Sequence, residues 1–215
     1  MDWSIDSLFP PFSIIMATMT RRAALSTAGL AVCAACFVNK QSTAETNKDS
    51  TVVQPPPVEK GKSRQSQVAW YFANGTCGSQ AILATYGDLF GISRETGLKM
   101  GCGFSGGLGL TGHACSFVVG AVVLLGLKNG PENVAQKKDY EYTVELAKQF
   151  VKDFQQQHKT IVCRELIQYD ISTAEAYAKA HDLDVFHNCV QQYLKTTVDL
   201  LENKYDVLGL KTKKG

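Results

Sequence analysis

Residues 101–115, GCGFSGGLGLTGHAC, carry six glycines, two cysteines and one histidine. A backbone this bare between two thiols suits three chemistries: a phosphate cradle, a thiol redox site or a cage for a metal cluster. The phosphate option has a motif behind it, because Gly101 to Gly106 and Gly107 to Gly112 both match G-x-G-x-x-G. That motif works where a buried strand feeds a helix N-terminus in a βαβ unit. Here the preceding SRETGLKM reads as a polar helix and no βαβ unit follows, so no nucleotide is expected.

The thiols carry more. Cys77, Cys102, Cys115, Cys163 and Cys189 are separated by 24, 12, 47 and 25 residues. Structural zinc draws its ligands as close pairs on tight turns, and this segment of the chain has none. Widely spaced thiols on separate helices can still meet in a bundle. Glycines 101, 103 and 106 around Cys102 would let the chain fold tightly there and offer bare N–H groups to sulfur, whether of a cluster or of a free thiolate. His113 and His187, each two residues before a cysteine, could supply an imidazole, although a single histidine more often caps or faces solvent. Cys189 reads as a small core hydrophobe.

The elements that must position these groups are helical. Ile82/Leu83, Tyr86 and Leu89/Phe90 recur at three- and four-residue spacings, predicting one apolar face on a helix that begins near Cys77. Ser93 can cap a short second helix with Glu95 in its first turn, ending in the glycines. FVVGAVVLLGL, 117–127, predicts a buried central helix, too short to span a membrane. Asn129-Gly130-Pro131 should stop it through a left-handed residue before a helix breaker. Tyr140, Val144, Ala147, Val151 and Phe154 mark a long amphipathic helix, with Tyr140 and Tyr142 as core and rim and with Glu145, Lys148, Lys152 and Asp153 on its wet face. Val190, Leu194, Val198, Leu201 and Tyr205 mark the last one. With no sustained period-two alternation, the class is all-α: a single helical domain, 66–207, packed around the apolar helix, with a flexible tail at 208–215.

The first 65 residues read differently. Arg21-Arg22 precedes an alanine-rich apolar run from Ala23 to Val38, and Ser42-Thr43-Ala44 offers a small-x-small cleavage site. This is the pattern of a twin-arginine export signal over 1–44, which predicts a periplasmic or otherwise extracytoplasmic protein with no stable membrane span once mature. Cys33 and Cys36 fall inside it. Residues 45–65, polar and holding Pro55-Pro56-Pro57, read as a disordered linker. A formal net charge of +2 gives no electrostatic footprint for nucleic acid. Neither paired carboxylates nor a Ser-His-Asp set emerges as an acid–base site.

Four of the cysteines, with their neighbours, carry a resemblance. Cys77 lies in NGTCGSQA, Cys102 in GCGFSG, Cys115 follows, and Cys163 lies in CREL. Over residues 66–205 the chain resembles the redox-active protein family named for a C, G-C-A-x-x-G, C, C pattern, with Gly103 where the pattern has alanine. Split-Soret cytochromes c look like distant relatives with an iron–sulfur centre; lacking any C-x-x-C-H, this chain does not inherit their haem. The resemblance implies redox activity through the cysteines. Two chemistries follow. One is electron transfer through an iron–sulfur cluster on Cys77, Cys102, Cys115 and Cys163, exchanging electrons with a protein partner or a small donor or acceptor. The other is thiol–disulfide exchange in which Cys102 attacks and Cys115 or Cys77 resolves. A third reading is a non-catalytic helical protein, with an apolar face that could pair two copies.

Overall fold

Helix α2, Gly78–Tyr86, buries every residue except Gln80, which is half-buried. The computed structural model describes residues 54–210, which belong to one compact unit. Eight α-helices carry it: α1 (Gln65–Ala73), α2, α3 (Arg94–Cys102), α4 (Ser116–Asn129), α5 (Lys137–His158), α6 (Cys163–Ile167), α7 (Ala174–Asp182) and α8 (Val185–Asp199). Among the described residues there is no strand, and a single bridge pairs Ala114 with Val162. None of the described helices is long and apolar enough to cross a membrane. The all-α expectation holds for this unit. The export signal, its Cys33 and Cys36, and residues 45–53 of the expected linker lie outside the described residues.

The apolar run does form a helix, α4, burying Phe117, Val118, Ala121, Leu124 and Leu125. Yet α2 is the hub, packing against α1, α3 and α4 together. It can do so because its neighbours present glycine. A Cβ on Gly97 of α3 would lie 2.7 Å from the Leu83 carbonyl oxygen, and one on Gly101 would lie 2.5 Å from the Gln80 nitrogen. Gly120 of α4 presses on Ser79 in the same way. Backbone therefore meets backbone on two sides of α2. The polar Ser79 and Thr85 within it hide this burial from a hydrophobicity pattern.

Four local expectations need correction. The apolar repeat through Leu89/Phe90 is not one helix: α2 ends at Tyr86 and Gly87–Phe90 is a 3₁₀ turn. Three residues per turn rotate the following side chains, and Leu89 is turned out to solvent. Helix α4 ends with Gly130 extended (φ −67°, ψ 160°), not left-handed, because the ring of Pro131 disfavours a helical residue before it. Tyr140, Tyr142 and Val144 are exposed rather than core or rim. Helix α5 has 22 residues against 14 in α4, so at 1.5 Å per residue its first turns extend about 12 Å beyond what its partner can cover.

Asp153, expected on the wet face of α5, is buried. It accepts hydrogen bonds from Tyr205 Oη (2.7 Å) and Gln149 Nε2 (2.9 Å) and pairs with Lys204 Nζ (2.6 Å). Burial pushes its carboxyl up, but the bonds from Lys204, Tyr205 and Gln149 outweigh this and hold it below the usual carboxylate range. Helix α8 carries the expected Val190, Leu194 and Val198 into the core and continues as a π turn, Leu200–Lys204. From that turn Glu202 accepts from Tyr86 Oη (2.6 Å) and from the Arg64 backbone N–H (2.8 Å). The end of the fold is thus tied to the start of α1.

Candidate functional site

Each cysteine is held by a different element. Cys77 is the N-cap of α2, where its sulfur accepts from the Gln80 backbone N–H while Gln80 Oε1 accepts from the Cys77 N–H. This is the reciprocal capping box usually built on Ser or Thr. The same sulfur lies 3.1 Å from Ser79 Oγ and 3.4 Å from the Gly101 carbonyl, which also accepts from Ser79 Oγ at 2.7 Å. Cys102 is the last residue of α3 and is exposed. Ser93 does cap that helix, its Oγ accepting from the Thr96 N–H.

Cys115 and Cys163 are buried and positioned as a pair by backbone. Around the Ala114–Val162 bridge, the Cys115 N–H donates to the Ile161 carbonyl (2.7 Å) and the Cys163 N–H donates to the His113 carbonyl (2.5 Å). Each cysteine directly follows a bridged residue, and the alternation of extended backbone turns both to one side. Cys115 then caps α4, and Cys163 opens α6. The starts of α2 and α4 abut: Ser116 Oγ accepts from the Gly78 N–H at 3.1 Å.

The glycine stretch has two parts with two uses. Gly101 serves the close crossing of α3 on α2. Residues 106–110 form a run of five consecutive positive φ values, from +54° to +78°, that includes Leu108 and Leu110. A left-handed conformation costs an L-residue roughly 1–2 kcal/mol, so the surroundings must hold it. The loop's own bonds do so, the Gly112 N–H donating to the Gly106 carbonyl (3.0 Å) and the His113 N–H to the Gly107 carbonyl (3.0 Å). Arg164 of α6 ties down the residues just after the run, its backbone N–H donating to the Gly112 carbonyl (3.0 Å) and its guanidinium reaching the Thr111 carbonyl (3.3 Å). The run lies directly over a thiol, for a Cβ on Gly107 would sit 2.8 Å from Cys163 Cβ.

Cys77, Cys102, Cys115 and Cys163 all line one cavity of about 410 Å³, and Gly106 lines it too. Gly101 and Gly103 are not part of its wall. His113 stands outside it, exposed, with its Nδ1 2.6 Å from Thr111 Oγ1. The side chains of His187 and Cys189 lie outside what is described. Sequence reasoning missed Arg164 and the ring cluster Tyr177, His181 and Phe186, which also reaches the cavity. The Tyr177–His181 spacing of four residues was a readable signal.

A family model described as "Putative redox-active protein (C_GCAxxG_C_C)" matches residues 76–203. The chain belongs to this family. Among curated proteins and among solved structures, nothing matches it. The matched range contains all four cysteines of the cavity.

Among the described residues no three Cys, His, Asp or Glu side chains are gathered closely enough to hold one metal ion. A single tetrahedral ion draws its sulfurs to within about 2.3 Å of itself. A multi-iron cluster spreads its thiolates over several irons and needs them further apart. Four thiols line one cavity, and the N-termini of α2 and α4, which favour negative charge, abut at Cys77 and Cys115.

Proposed function

We propose that this protein is an electron-transfer protein whose Cys77, Cys102, Cys115 and Cys163 hold an iron–sulfur cluster. The observation that carries the reading is that four cysteines up to 86 positions apart line one cavity. When bound, the cluster would supply reversible one-electron chemistry at its irons. The chain's own residues do the rest. Cys77 and Cys115, at the N-termini of α2 and α4, set thiolate charge against the helix dipoles. Gly107 leaves room for the Cys163 Cβ beneath it, and Cys102 occupies the solvent side, where a redox partner or a small donor or acceptor would approach. Arg21-Arg22 and the Ala-rich run support export, already folded, to an extracytoplasmic compartment.

Exposure of Cys102 favours a second reading, thiol–disulfide exchange. The Cys102 thiolate would attack a substrate disulfide, releasing one substrate thiol and forming a mixed disulfide. Cys115 or Cys77 would then displace the second substrate thiol, leaving the protein oxidised and the substrate reduced by two electrons. Anaerobic purification of the full chain separates the two. The cluster reading expects visible absorbance with stoichiometric iron and sulfide, lost in Cys102→Ser. Colourless protein whose thiol count changes by two between reduced and oxidised forms overturns it in favour of exchange.

A further inference from the structure

The cavity is larger than its sulfur wall. Its lining continues onto α7 and α8 through Tyr177, His181 and Phe186, whose ring centroids lie 4.8, 4.9 and 5.7 Å apart. Tyr177 and Phe186 pack on the edge of the core yet are only half-buried, and His181 is exposed, so the cluster leaves ring surface at the opening. Across the sequence, Phe72 of α1 and Phe117 of α4 pair at 5.6 Å and line the same space. No Lys or Arg is in the wall, and Asp184 is its one formally charged side chain among the described residues. A phosphate-bearing ligand would find no cationic side chain there. Gln191 adds an amide that can serve a carbonyl oxygen. The aromatic side is one part of the cavity of about 410 Å³, the sulfur wall being the other.

We infer that the aromatic side of this cavity is a binding site for a neutral planar ring compound bearing carbonyl oxygens, of the quinone class. Ring faces stack on such a molecule, and the neighbouring thiols place it beside the redox centre. The inference deepens the redox reading by naming a small-molecule partner, and it rests on that reading for its purpose but not for its test.

The test is equilibrium binding of duroquinone to the full chain, without oxygen or reductant; its four methyl groups block addition of thiols to the ring. One saturable site per chain is expected, with Tyr177→Ser and His181→Ala each weakening it about tenfold. Should Tyr177→Ser lose helical content, Gln191→Trp at the exposed edge fills the opening and blocks binding without removing a core ring. Absence of saturable binding up to about 1 mM, or undiminished binding in His181→Ala and Gln191→Trp, overturns the inference. Iron and sulfide are measured on the same samples. Iron present with no duroquinone bound sinks this site alone, and duroquinone bound with no iron present sinks the cluster alone.

Discussion

Cys77 combines two roles that usually fall to different residues: it caps a helix and supplies a thiol to the cavity. The two can be separated. Cys77→Ser keeps a capping oxygen and should hold stability close to that of the parent chain, whereas Cys77→Ala should lose about 0.5–2 kcal/mol by urea denaturation. Both should abolish the redox activity, and a Cys77→Ser protein that retains it removes this cysteine from the centre. Gly107 tests the loop. At φ +78°, with the His113 nitrogen 2.6 Å and Cys163 Cβ 2.8 Å from any added Cβ, Gly107→Ala should cost at least about 2 kcal/mol. Alkylation of Cys163, mapped by mass spectrometry, should then speed up. An unchanged urea midpoint would show that this backbone can relax.

At the scale of elements, the glycines around Cys102 are not equivalent. Gly101→Ala would drive a Cβ into the α2 backbone and should destabilise by about 1–3 kcal/mol, as overpacking does. Gly103, at φ −65° with open space around its Cβ position, should accept alanine neutrally or gain up to about 1 kcal/mol. Comparing the two melting curves checks this, and equal losses would contradict it. The same distinction explains what was legible. Ser93, the apolar run of α4 and the Val190–Val198 face are local signals, and each reads correctly. The four thiols of the site were legible because their neighbours match a known pattern. The hub position of α2 was hidden, since its burial depends on glycines contributed by α3 and α4, far along the chain. The exposure of Tyr140 and the burial of Asp153 were hidden for a related reason: periodicity gives the face of α5 but not how far its partners extend. The ring cluster of α7 and α8 arises only when those helices meet.

At the scale of the whole molecule, α5 joins the C-terminal segments through titratable contacts, and acid should release them in order. His158 packs against the Phe154 and Tyr193 rings with Nε2 2.9 Å from Thr196 Oγ1, and burial holds its imidazole below 6.5. Its neutral form belongs to the folded state, so this contribution is complete above about pH 6.5 and is lost as pH falls through the lowered folded value. Asp153 is also depressed, so its contribution persists above about pH 4 and is lost as pH falls through its own folded value. Urea midpoints against pH should show two declines, with the upper one absent in His158→Gln and the lower one absent in Asp153→Asn. A flat profile from pH 7 to 5 in the parent chain would exclude the histidine step. The solvent-facing sulfur of Cys102 has a practical outcome for anyone handling the protein. In air, copies that hold no cluster should couple to one another through it, so a doubled mass that appears on a gel only without reductant records oxidation at Cys102.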